Sequence, residues 1–174
     1  MNTRKLLTLV MMVALAFTAS AKSLVGNWYA GIPFNEDGMD GTIVLVLGLL
    51  DNGRSEVSVG MDLTGEIEKG TKMHVLISCN GFGTWTSTDD SLTMEVDPDN
   101  TITQVDELEI DGMDKATVDM IRPTIEKMFI EQTKSSMKGM YDTLHGTARI
   151  EQVSDSQFLL YDGDESISFS RIAD

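Results

Sequence analysis

The sequence predicts a mainly β fold: an antiparallel up-and-down β-barrel of about 8–10 strands with one inserted amphipathic helical segment. Three observations predict it. Most of the chain alternates apolar and polar residues with a period of two. Turn residues recur every ~8–12 positions. One stretch, residues 114–145, switches to apolar positions spaced by three and four, the helical period.

Val25 to Ala30 is a first short strand, and the Gly-, Asn- and Asp-containing stretch 33–41 reads as a loop. Thr42 to Leu50 is apolar nearly throughout, which predicts a strand covered on both faces. Asn52-Gly53 then supplies a two-residue type I′ hairpin turn. On the returning strand Val57, Val59, Met61 and Leu63 share one face, and Glu56, Ser58 and Asp62 the other. Met73, Val75, Ile77 and Cys79 alternate in the same way, which places the chain's one cysteine among apolar neighbours. Gly81 and Gly83 are expected to bend the chain before a hairpin of Trp85–Thr88 and Leu92–Val96, with Leu92, Met94 and Val96 on one face. Between Thr101 and Ile110 the alternation slips near Gln104 and Val105, which predicts a bulge.

Asp114 is a good N-cap for the helical stretch, followed by Val118, Ile121, Ile125, Met128 and Phe129 on one face. Pro123 is expected to kink this helix or start a second one, because it lacks an N–H. Met137, Met140, Tyr141 and Leu144 form a rotated stripe, so a break near Ser135-Ser136 is expected, with Gly146 as C-terminal cap. Residues 147–153, 157–161 and 166–172 read as three closing strands.

The beginning of the chain has the parts of a secretory signal: Arg4 and Lys5, the apolar run Leu6 to Phe17, and Ala19-Ser20-Ala21. A bilayer-spanning helix needs ~20 apolar residues, so cleavage after Ala21 is preferred to a retained anchor. Residues 1–21 are thus read as signal peptide and 22–174 as one exported domain, in the periplasm or at the outer cell surface, with no integral membrane anchor after cleavage. The formal net charge is −15, and loss of Arg4 and Lys5 makes it more negative. Such a field disfavours nucleic acid, which needs a basic face. One cysteine allows no intramolecular disulfide, so stability must come from the core.

His74 and His145 belong to no HExxH or His-x-His pair, so no metal site is expected. No nucleophile elbow or Gly-rich phosphate loop occurs in the sequence. The carboxylate clusters Asn35-Glu36-Asp37, Asp106 with Glu107 and Glu109, and Asp162 with Asp164 and Glu165 read as solvated turns. The expectation is a protein that is not an enzyme and carries no cofactor.

Gly26-Asn27-Trp28 lies in the first strand of the exported domain and Arg171 in the last, beside Ile167 and Phe169 on one face. With Gly83-Thr84-Trp85 and the ending Ile167 to Ile172, the chain resembles the lipocalin-like domains of secreted bacterial proteins. The resemblance covers 22–174 in outline, and its motifs are two tripeptides and a terminal strand. It implies a barrel with Trp28 plugging one end and Arg171 stacked over it. The chain departs from the family by placing its long helix ahead of three strands instead of one. On this reading the domain holds a small hydrophobic ligand in a cavity lined by Val57, Val59, Met61, Met73, Val75, Ile77 and Met94, with the helix covering a flank or an open end. The alternative is a ligand-free structural or protein-interaction module that docks on an envelope protein or on a second copy.

Overall fold

The computed structural model describes residues 24–36, 38–68, 70–97, 100–144 and 146–173. The expected signal segment and His145 lie outside them, as do the side chains of Met137, Met140, Tyr141 and Leu144. Among the described residues nine strands and one helix follow in order: β1 (Gly26–Glu36), β2 (Met39–Leu49), β3 (Arg54–Glu68), β4 (Thr71–Ser87), β5 (Ser91–Val96), β6 (Ile102–Ile110), α1 (Lys115–Leu144), β7 (Gly146–Ser154), β8 (Gln157–Asp162) and β9 (Glu165–Arg171). All strand pairs are antiparallel.

Eight strands close a meander barrel, β1-β2-β3-β4-β5-β7-β8-β9, and β9 returns to β1. The predicted barrel with one inserted helix is therefore the fold. Its seam is short. β1 and β9 pair only through Trp28↔Arg171 and Tyr29↔Ser170. β6 stands outside the ring and pairs with the first half of β4, from Met73 to Asn80, while β5 takes the second half, from Gly83 to Ser87. A strand of 17 residues thus has two successive neighbours on one edge.

Several local expectations are corrected. The stretch 33–41 is not a loop, because β1 and β2 stay in register from Gly26↔Leu49 to Glu36↔Met39. The bend expected at Gly81 and Gly83 does not interrupt the strand, since backbone pairing to β3 runs unbroken through both. Gly83 serves instead a close approach: a Cβ there would lie 2.0 Å from the Glu95 carbonyl oxygen. The β2–β3 hairpin closes over Asp51–Gly53, not a two-residue turn. The Leu50 N–H donates to the Arg54 oxygen, and Gly53 takes the left-handed conformation at φ 79°, the three-residue turn with a Gly bulge. α1 continues through both Pro123 and Ser135-Ser136. Pro123 is exposed, so its ring has room and the helix forgoes one hydrogen bond. β2 is covered on one face only, because Val44 and Val46 are partly exposed.

The predicted slip in β6 is present one residue later, at Asp106, between Leu76↔Glu107 and Ile77↔Val105. The extra residue re-phases the strand, so that Leu108 and Ile110 are buried while Glu107 and Glu109 face outward.

Two apolar cores result. The first fills the ring and contains Trp28, Leu47, Val57, Cys79, Met94, Phe158 and Phe169. The second lies between the β3–β4–β6 sheet and α1, where Val118 packs against Met73, Val75, Ile77, Leu108 and Ile110, with Ile121, Ile125 and Phe129 alongside. Asp114 caps α1 as expected: its Oδ1 accepts from the Thr117 N–H at 3.0 Å. Met128 turns out to be 55% exposed, so the buried stripe of α1 is narrower than its sequence suggests. Among the described residues no helix is long and apolar enough to cross a membrane.

Candidate functional site

Two places could carry function: the interior of the ring and its outer face. The interior is built around Trp28, which is fully buried. Its indole N–H donates to the Leu24 carbonyl at 2.7 Å, and the Arg171 guanidinium carbon lies 4.2 Å from the ring centroid. Arg171 is anchored by donating to the carbonyls of Val25 and Asp155. A Cβ on Gly26 would meet the Arg171 Nη1 at 2.4 Å, and Gly26 sits at φ 137°. The glycine is thus required by the arginine: a side chain would stand where the guanidinium crosses the backbone. The expected Trp28–Arg171 pair is present as a cation–π stack.

Above Trp28 the ring holds aromatic side chains that the sequence reading did not single out as a group. Phe158 meets Trp28 edge-on with centroids 4.8 Å apart and stacks on Phe169 at 5.0 Å. Both phenylalanines are at most 1% exposed. The signal was visible as inward alternation in β8 and β9, but only ring closure brings Phe158, with Phe169 stacked on it, onto Trp28.

The seven candidate lining residues do not converge on one space. Val57, Val59 and Met94 belong to the ring core. Met73, Val75 and Ile77 belong to the second core, beneath α1. Met61 packs against both. β4 runs from one core to the other, so a common strand face does not mean a common cavity. The second tryptophan, Trp85, is buried and donates to the Leu50 carbonyl at 2.9 Å. Cys79 is buried, with Sγ 3.1 Å from the Thr103 hydroxyl.

The outer face of β1–β4 carries two clefts that share Phe82. One, of about 170 Å³, is lined by Asn27, Val46, Gly48, Glu56, Ser58 and Asn80 among others. The other, of about 670 Å³ and more open, runs past Arg54, Thr84, Asp97 and Ile102. Register explains the grouping. Tyr29, Val46, Ser58, Asn80 and Ile102 form one cross-strand row, and Asn27, Gly48, Glu56 and Phe82 the next. Gly48 leaves the floor low, and Tyr29, Phe82 and Ile102 stand 43%, 46% and 61% exposed around it. The face offers apolar contact, carbonyl and amide groups, the carboxylates of Glu56 and Asp97 and the guanidinium of Arg54, but no described nucleophile–base pair.

The carboxylates of Asp106, Glu107, Glu109, Asp162, Asp164 and Glu165 are exposed. Two titrations are displaced from their ordinary values. Hydrogen bonds from the Thr117 hydroxyl and N–H lower Asp114, and the hydrogen bond to Glu151 raises Tyr161. Tyr161 also lies under Arg149, whose guanidinium carbon is 3.6 Å from the ring centroid.

No family model matches the chain, and no curated protein matches it.

Proposed function

We propose that the protein is a non-catalytic interaction module of the cell envelope that works through the outer β1–β4 face around Phe82. The observation that carries this reading is the aromatic packing inside the ring. Phe158 meets Trp28 edge-on and stacks on Phe169, and rings packed in this way occupy space that a carried ligand would need. The outer face has the composition of a contact surface, with exposed aromatic and aliphatic side chains beside hydrogen-bonding amides. Its partner is a protein presenting an apolar anchor and a basic rim, complementary to Glu56, Asp97 and the chain's net charge of −15. The export signal of residues 1–21 places the module outside the cytoplasm on this reading.

The test puts a photo-crosslinking amino acid at position 82, and separately at Val153, which is exposed in β7, in cells that naturally make the protein. The expected result is a discrete protein adduct from position 82 and none from 153. Equal labelling at both positions, or no adduct at 82, overturns the reading.

The lipocalin-like carrier is the second reading, favoured by Gly26, Trp28 and Arg171 and by the position of α1. The first half of that helix covers Met73, Val75 and Ile77, so a small apolar ligand would enter by displacing it. Native mass spectrometry of protein purified from its own cells separates the two readings, since only a carrier retains a stoichiometric apolar molecule.

A further inference from the structure

Away from Phe82, the outer face of β3–β4–β6 gathers groups that the sequence keeps far apart. His74 stands at the centre of three strands, opposite Thr64 of β3 and Glu109 of β6. The bulge at Asp106 turns Glu107 and Glu109 to this same face. One ligand atom from each of His74, Glu107 and Glu109 lies within 4.8 Å of the others. His74 Nε2 is also 2.8 Å from Asp62 Oδ1.

We propose that His74, Glu107 and Glu109 bind a divalent cation of the zinc class, with Asp62 as the positioning residue. Nε2–H donated to Asp62 leaves the lone pair on Nδ1, and a carboxylate behind a histidine fixes its tautomer and raises its basicity toward a metal. The two glutamates repel each other at this spacing, and neither is in an ion pair among the described residues. A cation between them removes that repulsion. One imidazole and two carboxylates suit zinc, whereas calcium takes oxygen ligands alone. Metal–ligand bonds of ~2.0–2.2 Å place tetrahedral ligand atoms ~3.4 Å apart, so the three groups must close by up to ~1.4 Å, and both glutamates are exposed side chains able to rotate. Water fills the remaining positions through the adjoining cleft of about 160 Å³, lined by Thr64, Lys72 and Asp111 beside His74 and Glu109. The ion ties β6, which among the described strands hydrogen-bonds only to β4, more firmly to that strand.

The experiment titrates the full chain with Zn²⁺ in the presence of excess Mg²⁺ and Ca²⁺, following the side-chain ¹⁵N resonances of its two histidines. His74 should shift at Nδ1 and saturate at one ion per chain. Glu107→Gln with Glu109→Gln should weaken binding at least ~10-fold, as should Asp62→Asn, by the usual worth of an orienting carboxylate. Asp162→Asn with Asp164→Asn should leave it unchanged. A His74 signal unmoved at saturating Zn²⁺ overturns the site, as does wild-type affinity in the Gln pair. The wild-type resonance decides alone if a variant fails to fold.

Discussion

Replacing Phe158 by alanine tests whether the ring is solid. The side chain is fully buried and holds two aromatic neighbours, Trp28 edge-on at 4.8 Å and Phe169 stacked at 5.0 Å. Truncating a buried phenylalanine costs about 3–5 kcal/mol through lost transfer energy and the cavity left behind. Each aromatic pair contributes roughly 0.5–1.5 kcal/mol beyond its area, which puts this site toward the upper end of that range. At roughly 2–4 °C per kcal/mol for a chain this long, the melting temperature should fall by about 8–20 °C. The hole would be apolar and therefore dry, and dry apolar cavities take up small aromatic guests. Indole should accordingly raise the melting temperature of the Phe158→Ala protein and leave the wild type unmoved. Differential scanning calorimetry with and without indole reads both quantities. A loss below about 1.5 kcal/mol, or an equal response of the wild type to indole, would refute the filled interior and return the cavity reading to first place.

Gly26 and Arg171 should behave as one unit. Arg171→Ala removes a cation–π stack and two charged hydrogen bonds to carbonyls, for about 2–4 kcal/mol in urea unfolding. Gly26→Ala pushes a Cβ into the same guanidinium, so the double variant should cost clearly less than the two single losses added; strict additivity would contradict the contact. Gly83→Ala should destabilise by about 1–3 kcal/mol or more, because its Cβ meets the Glu95 backbone and not a movable side chain; an unchanged melting temperature would show that β4 and β5 are not this close. Asp114 is held below its ordinary value of 3.8 by Thr117. A lowered folded-state value means the carboxylate stabilises α1 above the ordinary range and that this is lost as the pH falls through the folded value. The gap in melting temperature between wild type and Asp114→Ala should be level near neutrality and close only below that range, and a gap that widens with acid would reverse the argument.

Much of the strand pattern was legible because period-two burial is written locally. β4 is the clearest instance: Met73, Val75, Ile77 and Cys79 are buried, and the residues between them are not. The slip in β6 was legible for the same reason, since apolar residues change phase between Val105 and Leu108 and only an extra residue keeps both inside. Glycines misled, because Gly81 and Gly83 were read as a bend when Gly83 marks contact with a neighbouring strand. The tight β1–β2 hairpin was missed because Gly, Asn and Asp in 33–41 look like a loop, yet cross-strand pairing outweighs weak strand propensity. The candidate lining residues were all inward-facing, but the sequence could not say that β4 leaves one core and enters another.

The sequence by itself determined which side chains face inward along β3, β4 and β5 and the cap at Asp114, and the family resemblance supplied the pairing of Trp28 with Arg171. These follow from backbone periodicity and from chemistry within a few residues or one recognisable motif. Tertiary structure alone decided that Phe158 lies between Trp28 and Phe169, that β6 stands outside the ring, and that His74 faces Glu107 and Glu109. Each depends on which strand lies beside which. That is fixed by burial summed over the whole chain, a quantity no local stretch of residues carries.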